Sequence, residues 1–118
     1  MVATIDVLPT LAEITGQAET VRVDGTSLLP LLRGKKPADW RDAWIDNYDM
    51  TYLEEDSMRM IRTEDWKLVT HSAAGHELFD MKNDPGELQN LYSRPDLEKV
   101  QRELEARLEE WTKEVGLE

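Results

Sequence analysis

The run from Pro95 to Gly116 constrains the fold more than any other part of the chain. Leu97, Val100, Leu104, Leu108, Trp111 and Val115 recur at helical spacing and line one face. Pro95 opens the run, Asp96 and Glu98 sit where the amino-terminal dipole favours acids, and Gly116 ends it. Glu98–Arg102, Glu103–Arg107 and Glu109–Lys113 are i,i+4 pairs in the favourable orientation. Each contributes about 0.3 kcal/mol. A helix with one apolar face must bury that face. The spacing also suits a coiled coil, but the run is short and capped at both ends, which favours a helix lying on a sheet.

The middle of the chain can supply that sheet. Ala43–Tyr48, Met58–Arg62 and Trp66–Thr70 read as strands, with a shorter one at Glu77–Phe79. Thr63-Glu64-Asp65 is of hairpin length and Gly75 lies in the next turn. Short strands joined by turns pair antiparallel, because parallel pairing needs long crossovers. Leu53 to Asp56 is acidic and reads as an exposed loop. The expected class is α+β: a small antiparallel sheet of three to four strands with the long C-terminal helix on one face.

Ahead of the sheet, residues 1–34 read as a helical segment. Asp6 is placed to cap a helix, Pro9 sits in its first turn, and Gly16 can end it. Val7, Leu8, Leu11, Ala12 and Ile14 give it an amphipathic stripe. Val2 and Ile5 read as the end of a strand, which makes the start look truncated. A connector follows from Gln17 to Asp24, with a turn at Asp24-Gly25. Ser27–Arg33 reads as a short apolar helix, with Ser27 as cap, Pro30 in its first turn and Gly34 as its stop. Lys35 to Asp39 is a polar loop containing Pro37.

Composition narrows the partners. The 118 residues carry 14 Lys and Arg against 25 Asp and Glu, a formal charge of −11. Nucleic acid and anionic membranes would repel such a surface. No apolar stretch approaches the ~20 residues of a membrane span, and the start lacks a basic segment followed by an apolar run. Four Trp, three Tyr and one Phe, with 40% hydrophobic residues, suffice for one core. There is no Cys, hence no disulfide and no thiolate metal site. Compartment stays open, because a signal peptide could lie outside this segment.

Individual polar residues read first as structural. His71 and His76 flank a turn and are five apart, not at the i,i+4 spacing of a helical zinc pair. Glu54-Glu55-Asp56 lacks the alternation and Gly of a calcium loop. Trp40, Trp44 and Trp66 could form a sugar platform, but packing in the sheet core is the expected role. Asp84-Pro85-Gly86-Glu87 is turn chemistry, and Asn90 can satisfy backbone groups before Leu91 enters the core.

Four strings in order carry a resemblance. They are I-D-V-L-P-T-L-A-E-I-T-G, D-G-T-S-L-L-P-L-L-R-G, R-M-I-R-T-E-D-W-K-L-V, and H-E-L-F-D-M-K-N-D-P-G-E-L-Q-N-L. Together they are similar to the C-terminal region of the type I sulfatases of the alkaline phosphatase superfamily. The resemblance implies that residues 1–118 form a subdomain beside a catalytic α/β domain that this chain lacks. Residues 1–34 would adjoin that domain, and 40–118 would form the sheet and helix. It implies formylglycine as nucleophile and calcium or magnesium as metal, all in the catalytic domain. Ser93-Arg94-Pro95-Asp96-Leu97 is the nearest approach to the family's C/S-x-P-x-R motif. It has Leu where Arg is needed and reads as a helix start.

No catalytic or metal residue is therefore expected in this chain. The resemblance also implies that the loop after the first strand points towards the active-site mouth of the whole enzyme. This makes Asn47, Tyr48, Asp49 and Tyr52 the candidates for touching a sulfate-ester substrate, with Arg59 as a further anion clamp. An amide, two phenols and a carboxylate suit the hydroxyls of a sugar or phenol. Two alternatives stand beside this reading. One is a free-standing interaction domain from a split or degenerate gene. The other is the C-terminal part of a phosphonate or phosphodiester hydrolase. A homodimer of the segment is a further expectation, from the apolar surface of residues 7–14 and 28–32.

Overall fold

The computed structural model describes residues 1–18, 22–49 and 57–117, with only the backbone of Asp49. The acidic loop expected at 53–56 lies outside the described residues. The chain divides into two compact units, Met1–Asp42 and Ala43–Glu118.

The second unit is the expected α+β layer pair. Strands β1 (Trp44–Asp49), β2 (Ser57–Arg62), β3 (Trp66–His71) and β4 (Glu77–Asp80) form an antiparallel sheet in sequential order. Register places Ile45 opposite Ile61, Ile61 opposite Leu68, and Leu68 opposite Leu78. This row crosses all four strands on one face. Helix α3 (Glu98–Val115), entered through a 3-10 turn at Pro95–Leu97, covers it. Ile61, Leu68 and Leu78 are fully buried and pack with Leu104 and Leu108 of the helix. Gly116 closes α3 in the left-handed conformation, at φ 71°.

The buried edge of α3 departs from the expected stripe in its last turns. Thr112 is buried, whereas Trp111 is half-buried and Val115 exposed. Leu104, Leu108 and Thr112 are spaced i,i+4,i+8 and stay on one line. The Thr112 hydroxyl donates to the Leu108 carbonyl at 2.8 Å, so its burial leaves no unmet donor. Glu98–Arg102 and Glu109–Lys113 form the expected pairs at 2.5 and 2.6 Å.

Loop chemistry locks the hairpins. Between β2 and β3, the Thr63 N–H donates to the Trp66 carbonyl and the Trp66 N–H to the Thr63 hydroxyl. After β4, the Asp84 carboxylate accepts the N–H groups of Leu88 and Gln89. Asn90 then fastens the loop to the sheet edge. Its carbonyl accepts the N–H groups of Leu78 and Tyr92, and its amide donates to the His76 carbonyl. The Leu91 N–H bonds the Leu78 carbonyl, and the Asp84 N–H bonds the Asp80 carbonyl.

The first unit inverts the usual arrangement. Helix α1 (Val7–Ile14) follows a 3-10 turn at Thr4–Asp6, and α2 spans Leu29–Leu32. Ile5 thus belongs to a helical turn and not to a strand. Asp6 does not cap α1 as expected. Its own backbone is helical, and its carboxylate turns back to other partners. It accepts the Ala3 N–H at 2.8 Å and the Thr26 N–H at 2.9 Å, and pairs with Arg41 at 2.5 Å. Asp6 is fully buried, with Pro9, Thr10 and Ala12 on the same side of the helix. Val7, Leu8, Leu11 and Ile14 of the apolar stripe are each more than half exposed.

Trp40 also departs from expectation. It lies in the first unit, buried, and its indole N–H donates to the Met1 carbonyl, so it is no part of the sheet core. Ser27 accepts the Leu29 N–H at 3.2 Å, as a cap would, although α2 is shorter than the expected helix. Gly25 has a steric role. A Cβ there would meet the Ile5 carbonyl oxygen at 2.2 Å, so only glycine fits.

Candidate substrate-facing surface

The pleat divides the candidate residues between two faces. Asn47 pairs with Arg59, and Arg59 with Thr70. They share parity with the Ile45–Ile61–Leu68 row and so lie on the side that α3 covers. Tyr48 pairs with Met58 on the opposite face. The backbone of Asp49 ends β1, and Tyr52 lies outside the described residues.

On the helix side a cavity of about 380 Å³ lies between α3 and strands β2 and β3. Arg59, Thr70, Glu105, Leu108 and Glu109 line it. Arg59 donates from Nη2 to the Leu117 carbonyl at 2.6 Å. A cation at a helix C-terminus also complements its dipole. Its Nε is buried and meets no acceptor among the described residues. The arrangement makes Arg59 an anchor for the end of α3.

The other face carries a shallow groove of about 310 Å³. Tyr48, Met58, Met60 and Val69 contribute to its lining, as do the charged residues Asp46 and Glu77. Tyr48 is 55% exposed. Every other described aromatic residue is buried or half-buried. Lys67, at one margin, pairs with Glu87 at 2.5 Å. That contact ties the Asp84–Glu87 turn to β3. Glu87 adopts φ 55°, a left-handed conformation uncommon outside glycine.

The histidines are woven into the β3–β4 joint. The His71 N–H donates to His76 Nδ1 at 3.1 Å, and His71 Nε2 lies 3.6 Å from Glu77. The His76 ring meets Tyr92 edge-on at 5.1 Å. The Tyr92 hydroxyl donates to Glu105 at 3.0 Å. Burial, together with that bond to a carboxylate, pushes the Tyr92 phenol up from its ordinary value. Ser93 is exposed, with φ 63°, and its N–H donates to Gln101. Among the described residues no three His, Asp or Glu side chains gather as metal ligands would.

The residue pattern alone did not single out Met58 and Met60 as a surface. Their signal was the alternation with Arg59, which sends both methionines to the face away from α3.

Relatives share this architecture. N-acetylglucosamine-6-O-sulfatase of Bacteroides thetaiotaomicron is 37% identical over 117 residues, covering 93% of this chain and 21% of the relative. A solved 2-O GAG sulfatase superposes with a TM-score of 0.81 at 33% identity, covering 92% of this chain and 24% of its own. Phosphonate monoester hydrolase of Agrobacterium radiobacter superposes with a TM-score of 0.75 at 26% identity, again covering 92% and 24%. The chain thus spans between a fifth and a quarter of each of these three proteins. Over residues 1–114 it matches the family described as N-sulphoglucosamine sulphohydrolase, C-terminal, and it belongs to that family of sulfatase C-terminal regions.

Proposed function

We propose that this chain is the structural and substrate-entrance subdomain of a sulfatase that hydrolyses sulfate esters, and that it is not catalytic by itself. The family match over residues 1–114 carries this reading. The exposed stripe of α1 supports it, since a catalytic domain is the natural cover for such a surface. By the resemblance, formylglycine and a calcium or magnesium ion belong to that catalytic domain. The described residues fit neither group and receive no step of the reaction.

In this proposal Asn47, Tyr48 and Asp49, at the end of β1, form the wall of the entrance together with Tyr52. Arg59 acts behind it, by holding α3 against the sheet. The test uses the whole enzyme. Tyr48→Phe or Asn47→Ala lowers kcat/KM for the natural sulfate ester by about 1–3 kcal/mol, with a smaller effect on a minimal aryl sulfate. Equal, negligible effects on both substrates would reduce the wall to scaffolding.

The similarity to phosphonate monoester hydrolase favours a second reading, in which the parent enzyme cleaves a phosphonate ester. Parallel assays with an aryl sulfate and a phenyl phosphonate separate the two. A free-standing interaction domain is the third reading. The coding sequence ahead of Met1 decides it.

A further inference from the structure

We infer that the open-face groove of the sheet is a subsite for one neutral sugar ring, next to the sulfated unit of a saccharide substrate. The inference rests on the sulfatase reading above. Three observations point to it. Tyr48 is the one exposed aromatic ring among the described residues, whereas Trp40 and Phe79 are buried and the rest half-buried. Met58 lies directly across from Tyr48, and Met60 follows on the same face. Together they offer a flat, polarisable floor beside an aromatic ring. The margin carries the Asp46 and Glu77 carboxylates, which are acceptors for hydroxyl groups.

This chemistry selects among ligands. The apolar C–H face of a pyranose packs on an aromatic ring while its hydroxyls reach polar groups at the edge. A sulfate group would meet Asp46 and Glu77 and be repelled. Lys67 does not offset them, because its ammonium is engaged by Glu87. The groove therefore suits an unsulfated ring, and its volume of about 310 Å³ lies at the small end of ligand sites. A purely apolar partner would leave both margin carboxylates desolvated, which disfavours it.

The 118-residue chain is itself the sample for the test. Chitobiose serves as the neutral probe and chitobiose sulfated at O6 as the charged one, with methionine methyl NMR as readout. Chitobiose is expected to shift the Met58 and Met60 methyls saturably in the millimolar range, and the sulfated sugar to bind more weakly. Tyr48→Ala, which removes the ring that makes the platform, weakens the neutral sugar about tenfold. Met60→Gln, with the Tyr48 ring intact, gives a second weakened variant. Circular dichroism melts confirm that each variant is folded.

Absence of saturable shifts up to the solubility of chitobiose overturns the inference. So does equal or tighter binding of the sulfated probe. Shifts that follow protein concentration without sugar identify a second copy as the occupant and also overturn it. None of these outcomes bears on sulfate-ester hydrolysis by the whole enzyme, so the two readings fail separately.

Discussion

Asp6 is where the chemistry of a single residue weighs most. Burial pushes its carboxyl up, but the N–H groups of Thr26 and Ala3 and the Arg41 guanidinium outweigh burial and hold it below its ordinary value. A carboxylate lowered on folding stabilises the fold above its unfolded value, and that contribution is lost as pH falls through the folded value. Acid unfolding of the first unit is therefore expected to begin below the ordinary 3.8 of an aspartate, and Asp6→Asn to flatten that acid limb. Circular dichroism against pH measures both. Asp6→Ala removes the buried carboxylate that the Ala3 and Thr26 N–H groups and Arg41 share, and a loss of about 3 kcal/mol follows in urea unfolding. An unchanged midpoint would remove the ion pair from any account of this unit. Arg59 makes a milder case. Arg59→Gln frees the end of α3 and is expected to raise hydrogen exchange at residues 112–117, with the sheet unaffected.

At the scale of elements, α3 and the sheet were legible because two periodicities agreed. A 3.6-residue stripe and alternating strands both require one shared interface, and the Ile61–Leu68–Leu78 row supplies it. Leu108 lies at its centre, so Leu108→Ala is expected to cost about 2–5 kcal/mol in denaturant unfolding of this unit. A loss below 1 kcal/mol (roughly a one-methylene change) would show that α3 packs loosely. Asp6 was not legible in the same way. An acid before an apolar run reads as a cap, and nothing local reveals that Thr26 and Arg41 close on it from 20 and 35 residues away. Trp40 misled for a similar reason, since its indole partner is a carbonyl 39 residues earlier. The candidate site was half legible. Alternation separates Asn47 and Arg59 from Tyr48, but which face α3 covers depends on the register, and the register appears only in the fold.

At the scale of the molecule, the chain carries the fold of a sulfatase C-terminal region without a nucleophile motif or a metal-ligand cluster among the described residues. The purified chain is expected to show no turnover of an aryl sulfate, with or without calcium. Activity above a heat-killed control that survives repurification contradicts this. The outward stripe of α1 gives the isolated chain a reason to self-associate, and its charge of −11 a reason not to. Raising salt screens the charge and leaves the stripe, so light scattering is expected to show association that grows with ionic strength. One further consequence belongs to the loop that Asn90 fastens. The Leu78 N–H and carbonyl and the Asp80 carbonyl on the outer side of β4 are already bonded to Asn90, Leu91 and Asp84. That margin is closed to fibril-like stacking of copies.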